Sequence, residues 1–402
     1  MDKKCLLGLV AILTLLLTAC GDDTDIMVPS VDRHEPVSNE SAENTDDTQS
    51  EDDLTLTESP EESGMMNREE DSLGENAEAE RAESDSVQIT ISAAGDVTLG
   101  NYFGQDYSWS FLESWDKNQD ADYYFENVYD IFNQDDMTLV NLEGPLTTAE
   151  ERREEQTYCI KGDPACAKIL TAGSVEAVGM ANNHCMDYFK PGVADTVEAV
   201  KEEGIVYAYD SVTGIYETKG IKIGYVSVNV IGYGAGVEKQ LESGIEDLKN
   251  RDADLILTSC HWGIERENFP DDYQQKLGKK CIDWGADLVI GHHPHVIQGV
   301  EEYQGKYIVY SLGNFCFGAN RNPADKDCII FQQTFQFEDG ERLAETSARV
   351  IPCSVSSVKT RNDYKPTPAK GDEWMRILDR MRTYSEPFHV EFDDDGVIKQ
   401  KH

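Results

Sequence analysis

The stretch GHHPHVIQG, residues 291–299, concentrates side chains that can do chemistry, since it holds three of the chain's eight histidines. It directly follows ADLVI, an apolar run that indicates a buried strand. Neutral imidazole is a common metal ligand, and imidazole also transfers protons near neutral pH. Histidines crowded at the end of a strand therefore favour a metal site or an acid–base site, provided that other strands bring suitable partners.

Other strand-like runs also end in polar residues, namely VQITISAAGD, DMTLVNLEG, VEAVGMANNH and ADLILTSCHWG. These runs deliver, in chain order, Asp96, Glu143, Asn183 with His184, and His261. They alternate with helix-like segments such as PGVADTVEAVKEEG, which predicts a layered α/β fold. Because ligand sites in such folds lie beyond the carboxyl ends of the strands, we expect these side chains to meet the histidines of residues 292–295 at one rim. A lone His261 would more often be a hydrogen-bonded structural residue, but in this company it is a metal-ligand candidate.

The combination of imidazole, carboxylate and amide oxygen suits a divalent first-row metal such as manganese, iron or zinc better than calcium or magnesium. Two such ions about 3.5 to 4 Å apart polarise a phosphoryl or carbonyl oxygen and generate hydroxide near neutral pH. The sequence has no C-x-x-C pair for cysteine-bound zinc, and the spacing of its cysteines fixes no disulfide. We therefore expect one or two metal ions held by nitrogen and oxygen.

The beginning of the chain, MDKKCLLGLVAILTLLLTAC, predicts a lipoprotein signal peptide over residues 1–20. Its ending LTAC resembles a lipobox, so Cys20 is expected to carry a lipid that anchors the protein to the outer face of the bacterial cytoplasmic membrane. Residues 21–87 are rich in acidic and small polar residues, which predicts a disordered acidic linker. The net charge of −42, about half of it in the linker, argues against a nucleic-acid partner.

Seven motifs follow one another along the rest of the chain: GDVTLG, NLEGPLT, IKGDP, MANNHCMDY, CHWGIE, GHHPHVIQGVE and SLGNF. Together they resemble the motifs of the bacterial CapA-type proteins, a family associated with poly-γ-glutamate capsule synthesis within the calcineurin-like metallophosphoesterase superfamily. The resemblance implies the calcineurin-like metallophosphoesterase fold, a layered α/β/β/α sandwich. We place this domain at residues 88–350, followed by a C-terminal extension over residues 351–402 that packs on it.

The same resemblance implies metal-binding roles. The implied ligands are Asp96 and His295 at the first position, Asn183, His261 and His293 at the second position, and Glu143 as a bridge between them. Ordinary metallophosphoesterases have Asp-x-His in the first motif, but this chain has Asp96-Val97-Thr98, so the first position lacks the imidazole of that motif. We expect unequal metal affinity, with the second position better filled, unless Glu143, His292 or water compensates.

Resemblance also implies catalytic and substrate-binding roles. His184 would contact the substrate or protonate the leaving group, and Asp187 would either hold the His184 ring or cap the helix that is expected near Pro191. His292 is expected to support its neighbours rather than to bind metal. The remaining substrate-binding candidates are Lys161, Glu265, Asn314 and Asn182. The last of these could instead take the metal-binding role of Asn183, because the sequence does not settle which amide points inward.

Three functions fit these observations. The first is a surface-anchored protein of capsule or poly-γ-glutamate biosynthesis, with a metal-dependent hydrolase or transfer site that acts on an anionic envelope polymer. The second is an extracytoplasmic metallophosphoesterase that cleaves phosphate esters or nucleotides. The third is a non-catalytic scaffold for membrane capsule-synthase proteins. The chain has neither a P-loop nor a strand-linked G-x-G-x-x-G, so energy for polymer synthesis would have to come from a partner.

Overall fold

The computed structural model of the protein describes residues 86–231 and 236–399. The chain divides into two units, Met1–Ala77 and Glu78–His402, and the described residues all belong to the second unit. The predicted signal peptide, the predicted lipidation site Cys20 and the predicted acidic linker up to residue 85 lie outside the described residues. No helix within the described ranges is long and apolar enough to cross a membrane.

Strands and helices alternate through most of this unit. The strands are β1 (Ser86–Thr98), β2 (Asn101–Tyr102), β3 (Met137–Leu142), β4 (Ile160–Lys161), β5 (Ala177–Gly179), β6 (Val206–Ala208), β7 (Gly214–Thr218), β8 (Ile221–Asn229), β9 (Leu255–His261), β10 (Leu288–His292), β11 (Val300–Tyr303), β12 (Lys306–Val309), β13 (Asn314–Phe317), β14 (Asp327–Glu338), β15 (Glu341–Ser354) and β16 (Thr367–Pro368). The helices are α1 (Phe111–Asn118), α2 (Asp122–Phe125), α3 (Tyr129–Phe132), α4 (Lys168–Ala172), α5 (Phe189–Glu202), α6 (Gly236–Asn250), α7 (Asp272–Trp284) and α8 (Asp372–Ser385).

The first sheet has the strand order β16-β15-β14-β1-β3-β5-β6, and β13 also pairs with β1. Its centre is parallel from β1 to β6, whereas β14, β15 and β16 extend it by antiparallel pairing. The Cα atom of Asp96 in β1 is in register with Asn141 of β3 and with Asn314 of β13. The carboxyl end of β1 therefore lies between two asparagines from neighbouring strands.

The second sheet has the order β11-β12-β10-β9-β8-β7, with β8, β9, β10 and β12 parallel to one another. His261 at the end of β9 is in register with His292 at the end of β10. Neighbouring residues in register on parallel strands project from the same face of a sheet. The imidazoles of His261 and His292 therefore project from the same face of the second sheet and lie side by side at the ends of their strands.

The two sheets pack face to face through a shared apolar core. Fully buried residues of this core include Ile91 and Leu139 from the first sheet, and Leu257 and Ile290 from the second. Helices α1 to α5 cover the outer face of the first sheet, and α6 and α7 cover the outer face of the second. Strands β3, β9 and β10 are buried along their whole length, which explains their nearly continuous apolar sequences. The predicted layered α/β/β/α sandwich is confirmed.

The ends of the predicted elements shift by small amounts. The helix expected near Pro191 is α5, which begins at Phe189, and the terminal helix is α8. Strand β15 runs through residue 350, where the sequence placed a domain boundary. Helix α8 contributes Ile377 and Leu378 to the core between the sheets. The C-terminal part of the described chain is thus continuous with the sandwich.

Candidate metal centre

Four buried residues from both sheets meet where their strands end. Asp96 lies near the carboxyl end of β1, Glu143 directly follows β3, and His261 and His292 end β9 and β10. None of these four residues is more than 1% exposed to solvent. Charged and titratable groups are rarely removed from water so completely unless they pair or coordinate metal.

The two carboxylates share one hydrogen-bond donor. Asn141 Nδ2 donates to Asp96 Oδ1 at 2.9 Å and lies 3.4 Å from Glu143 Oε2. Burial raises the pKa of Glu143 to about 7, with the charge of Asp96 adding to the rise and that of His295 opposing it. Burial also opposes ionisation of Asp96, but His292 and His295 hold the pKa of that carboxyl well below its usual range. The site therefore holds two buried carboxyl groups close together, where a bound cation would favour the ionised form of both.

His295 connects both carboxylates. Its Nδ1 lies 3.2 Å from Asp96 Oδ2 and 3.0 Å from Asn314 Oδ1, while its Nε2 lies 3.8 Å from Glu143 Oε1. Burial lowers the pKa of His295, but the charges of Glu143 and Asp96 outweigh burial and raise that pKa to about 9. Asn314 also donates from Nδ2 to the backbone oxygen of His295 at 3.3 Å, so it fixes this residue through both ring and backbone.

His261 and His293 form a second pair of imidazoles, with ring centroids 4.9 Å apart. Burial, together with the charge of His295, lowers the pKa of His293 to about 4, and burial with His293 holds the pKa of His261 well below its usual range. Both rings are therefore neutral at physiological pH, which is the form that binds metal. His261 Nε2 lies 2.8 Å from Asn183 Oδ1, so the amide oxygen of Asn183 reaches this pair.

The turn after β10 places its histidines through an unusual backbone. His293 has φ of 96° and His295 has φ of 58°, although neither is a glycine. Non-glycine residues adopt such angles at an energetic cost and only where the surroundings fix them, often at functional sites. This backbone directs the two rings toward different donors, with His293 beside His261 and His295 beside Asp96.

Two sets of donor atoms are close enough to hold metal. One ligand atom from each of Asp96, Glu143 and His261 lies within 4.8 Å of the others, and the same holds for Glu265, His293 and His295. Among the described residues, buried side-chain atoms without a hydrogen-bond partner include Asp96 Oδ2, Glu143 Oε1, both ring nitrogens of His292 and Nδ1 of His293. Such atoms are rare in folded proteins because unpaired polar groups are costly to bury. The nitrogen and oxygen donors fit a divalent first-row metal.

His184 and Asp187 form a separate pair at the same rim. His184 Nδ1 lies 2.7 Å from Asp187 Oδ2, which also accepts a hydrogen bond from the Ile160 backbone at 2.7 Å. Burial lowers the pKa of His184, but the hydrogen bond to Asp187 and the charge of Glu143 outweigh burial, and the net pKa is raised. Helix α5 has Tyr188 as its N-cap and no side-chain cap, so the Asp187 carboxylate serves the imidazole rather than the helix.

The two adjacent asparagines have different surroundings. Asn182 is fully buried, and its Nδ2 donates to the backbone oxygen of Leu142 at 2.8 Å and lies 3.2 Å from Asn141 Oδ1. Asn182 therefore ties the turn after β5 to the end of β3. Asn183, rather than Asn182, directs its amide oxygen toward His261.

The predicted substrate-binding residues separate into different places. Glu265 lines the cleft together with Glu143 and His295, and Asn314 Oδ1 lies 3.0 Å from His295 Nδ1. Lys161 does not line this cleft: its Nζ donates to the backbone oxygen of Ala149 at 2.8 Å, beside a second depression that also contains Asp163. The structure thus brings Glu265 and Asn314 to the site and leaves Lys161 outside it.

The cleft has a volume of about 420 Å³. Glu143, His184 and His295 lie among its lining residues. Residues that the sequence did not single out are Asn141 below the cleft and, along its walls, Tyr102, Tyr158, Arg266, Phe317 and Arg321. Asn141 had a signal, since it interrupts the apolar run MTLVNL. Arg266 and Arg321 lie in loops after the motifs, and no sequence signal pointed to them.

Comparison with known proteins gives consistent matches. The family described as "Bacterial capsule synthesis protein PGA_cap" matches residues 90–319, more than half of the chain. "PGA biosynthesis protein CapA" of Bacillus subtilis (strain 168) is 30% identical over 257 residues, which cover 58% of this chain and 64% of that protein. "Capsule biosynthesis protein CapA" of Bacillus anthracis is 27% identical over 340 residues, which cover 75% of this chain and 79% of that protein. The match to the Bacillus subtilis relative spans less than two thirds of that protein's length.

Among solved structures, the chain is similar to that of a hypothetical protein from Thermus thermophilus. This protein is 18% identical in sequence, with a TM-score of 0.40, and the match covers 66% of this chain and 99% of that chain.

Proposed function

The chain belongs to the bacterial capsule synthesis protein PGA_cap family, and from this membership we propose that it acts in the synthesis of an envelope polymer such as poly-γ-glutamate. Its part in that process is a metal-dependent hydrolytic or transfer reaction on the anionic polymer. The observation that carries this proposal is the set of buried carboxylate and imidazole atoms without hydrogen-bond partners at the floor of a cleft. Such atoms are costly to bury unpaired, and a bound metal would satisfy them.

Each residue of the centre has a chemical task in this proposal. Asp96, Glu143 and His261, whose ligand atoms lie within 4.8 Å of one another, would help to hold divalent metal at the two positions, and a bound ion would supply Lewis acidity to a phosphoryl or carbonyl oxygen. His184 donates a proton to the leaving group through Nε2, which lies 3.9 Å from Glu143 Oε1. Asp187 accepts the Nδ1 proton of His184 and so keeps the proton-donating nitrogen directed toward the cleft.

The cleft walls suit an extended anion. Arg266 and Arg321 both line the cleft, and Arg321 is held by Asp106 at 3.1 Å. No carboxylate among the described residues forms an ion pair with Arg266, so its charge is available to a ligand. Tyr158 is 56% exposed and packs edge to face on Tyr102, with ring centroids 5.2 Å apart. Cationic side chains attract the carboxylates of such a polymer, and exposed aromatic rings offer apolar surface to its methylene groups.

The location of the protein is a further part of the proposal. The signal peptide and Cys20 support lipid anchoring to the outer face of the cytoplasmic membrane, where membrane capsule-synthase proteins would be its partners. A Cys20→Ala variant is expected to leave the membrane fraction and appear in the medium or the soluble fraction. A variant that stays in the membrane fraction would contradict lipid anchoring through Cys20.

The reaction is tested by activity profiling. The full-length protein is purified in detergent and incubated with a γ-glutamyl polymer or a chromogenic phosphate ester, in the presence of Mn²⁺, Zn²⁺ or a chelator. We expect metal-dependent shortening or transfer of the polymer, and its loss in His184→Ala with metal still bound. His389→Ala removes an exposed histidine outside the centre and is the matched control. Turnover of the phosphate ester alone would favour the phosphoesterase, and no turnover of either substrate would favour the scaffold.

A further inference from the structure

His292 is the most anomalous side chain of the centre. It ends β10 and is only 1% exposed, yet neither of its ring nitrogens has a well-formed hydrogen bond to another of the described residues. A structural histidine in a protein core is normally held through at least one of these nitrogens. The packing of His292 therefore gives no account of why an imidazole, rather than an apolar side chain, occupies this position.

The ring of His292 approaches a carboxylate at a distance typical of two ligands of one metal ion. Its Nδ1 lies 3.2 Å from Asp96 Oδ1 but lacks the geometry of a hydrogen bond to it. Two ligand atoms that are each about 2.1 Å from one ion lie about 3.0 to 3.4 Å apart when the angle between them is about 90° to 110°. The observed spacing falls within this interval, so one ion can be reached by both atoms.

The residue two positions after Asp96 shows what His292 would replace. Thr98 stands where the Asp-x-His pattern has its imidazole, and it is fully buried with a hydroxyl that has no hydrogen-bond partner among the described residues. A threonine hydroxyl is a much weaker ligand than imidazole for a first-row divalent metal. His292 approaches Asp96 from the second sheet, whereas Thr98 belongs to the same strand as Asp96.

We propose that His292 is a second imidazole ligand, beside His295, of the metal position held by Asp96, and that it replaces the imidazole that Thr98 does not provide. This inference rests on the proposed metal-dependent site. Its consequence is that each metal position has two imidazoles, with His292 and His295 at the position of Asp96 and His261 with His293 at the other. The protein then binds two ions of comparable affinity rather than one tight and one weak ion.

The first test measures bound metal in full-length variants. Each protein is stripped with a chelator, reloaded with Co²⁺, and analysed for bound cobalt and for the visible absorption of the bound ion. We expect two ions in the wild-type protein and one in His292→Ala, with the affinity of the lost position reduced at least about 10-fold. A Thr98→His change added to His292→Ala is expected to restore the second ion. His389→Ala is the control and should retain both ions.

The second test uses the wild-type protein and does not depend on the folding of a variant. Anomalous scattering from crystals soaked in Zn²⁺ is expected to place an ion within about 2.3 Å of a ring nitrogen of His292. An ion bound to Asp96 but more than about 3 Å from both nitrogens would overturn the inference. So would a folded His292→Ala protein that keeps two ions.

The outcomes separate this inference from the proposed function. Two bound ions without turnover of any substrate would contradict the proposed reaction and leave the role of His292 intact. Metal-dependent turnover with unchanged cobalt content in His292→Ala would contradict the role of His292 alone. A wild-type protein that binds no metal would contradict both.

Discussion

His184 and Asp187 are joined by a hydrogen bond of 2.7 Å between Nδ1 and Oδ2, and this bond fixes which ring nitrogen of His184 faces the cleft. The same carboxylate oxygen accepts the backbone N–H of Ile160, so Asp187 is held in place by a neighbouring strand. A carboxylate that is fixed by the backbone can hold an imidazole in one orientation. The pair therefore has the geometry of an oriented proton donor.

Replacing Asp187 by asparagine tests this pair. The amide keeps one acceptor oxygen, but it loses the negative charge that favours a protonated His184, and its nitrogen cannot accept from the ring. We expect kcat to fall by about 10²- to 10⁴-fold, the range that general acid catalysis supplies, while metal content stays unchanged. Steady-state kinetics of Asp187→Asn measure the change in kcat, and metal analysis measures the bound metal. A variant with normal kcat would show that His184 needs no orienting carboxylate.

Metal binding should stabilise the fold through Glu143. In the absence of metal, two buried carboxylates lie close together, and a bound cation offsets their repulsion. We expect Mn²⁺ or Zn²⁺ at about 100 times its Kd to add about 2.7 kcal/mol to the free energy of unfolding. Glu143→Gln should remove most of this gain. Thermal unfolding with and without metal measures it, and Glu126→Gln on the surface is the control. Equal metal-induced shifts in both variants would exclude Glu143 as a ligand.

Asn314 should control the affinity of the site through His295. Its Oδ1 accepts from the ring at 3.0 Å and so directs the other ring nitrogen toward Glu143. Loss of such a supporting hydrogen bond typically costs about 10- to 100-fold in metal affinity. We expect this loss in Asn314→Ala and not in Asn314→Asp, which keeps an acceptor. Calorimetric titration compares the metal affinities of the two variants. Equal affinities would show that the acceptor oxygen of Asn314 does not affect metal binding.

Asp135 should make stability depend on pH at a position away from the metal centre. Burial, supported by the charges of Glu176 and Asp136, raises the pKa of Asp135 to about 7. Because the folded-state pKa is raised above the unfolded value, the stabilising contribution of the protonated carboxyl is lost as pH rises through about 7. We therefore compare the free energy of unfolding of Asp135→Asn with that of the wild type at two pH values. We expect the difference in favour of the variant to be larger at pH about 8.5 than at pH about 5.5, by on the order of 2 kcal/mol.

Chemical denaturation at the two pH values measures this difference for Asp135→Asn. The exposed Asp130 lies five residues earlier in the chain, and Asp130→Asn is the matched control. The control should show no pH-dependent gain. A gain of the same size in both variants would attribute the effect to net charge rather than to the buried carboxyl.

Arg266 should contribute to binding of the anionic polymer. Its guanidinium lines the cleft without a carboxylate partner among the residues that the structure describes. We expect Arg266→Ala to weaken binding of a γ-glutamyl polymer by about 5- to 10-fold at low salt, with a smaller effect at high salt. Lys161→Ala should bind like the wild type, because Lys161 faces another depression. Fluorescence anisotropy with a labelled polymer compares them, and the reverse ranking would place the polymer elsewhere.

The convergence of the candidate metal-binding residues could be predicted from the sequence because each lies at the end of a buried strand. Polar residues at the ends of parallel strands must lie at one edge, whatever the details of the turns. This rule applies to Asp96, Glu143 and His261. The layered fold could be predicted for the same reason, since continuous apolar runs require cover on both faces of a sheet.

Other features depend on contacts between distant segments and had no local signal. Lys161 lies in β4, which pairs with the short β2, and nothing in IKGDP shows that its amine turns away from the cleft. Arg266 and Arg321 reach the cleft from loops whose paths are set by tertiary packing. The sequence could not decide whether Asn182 or Asn183 contacts His261, because the conformation of the turn after β5 determines which amide points toward it. The structure shows that it is Asn183.

The central claim is that the floor of the cleft is a divalent metal centre. Its most direct measurement is the metal content of the full-length protein after equilibrium dialysis against Mn²⁺ or Zn²⁺, compared with that of an Asp96→Asn, His261→Ala double variant. We expect the wild-type protein to retain metal and the folded double variant to retain almost none. A wild-type protein that is folded and retains no metal, or a double variant that retains as much as the wild type, would contradict the account.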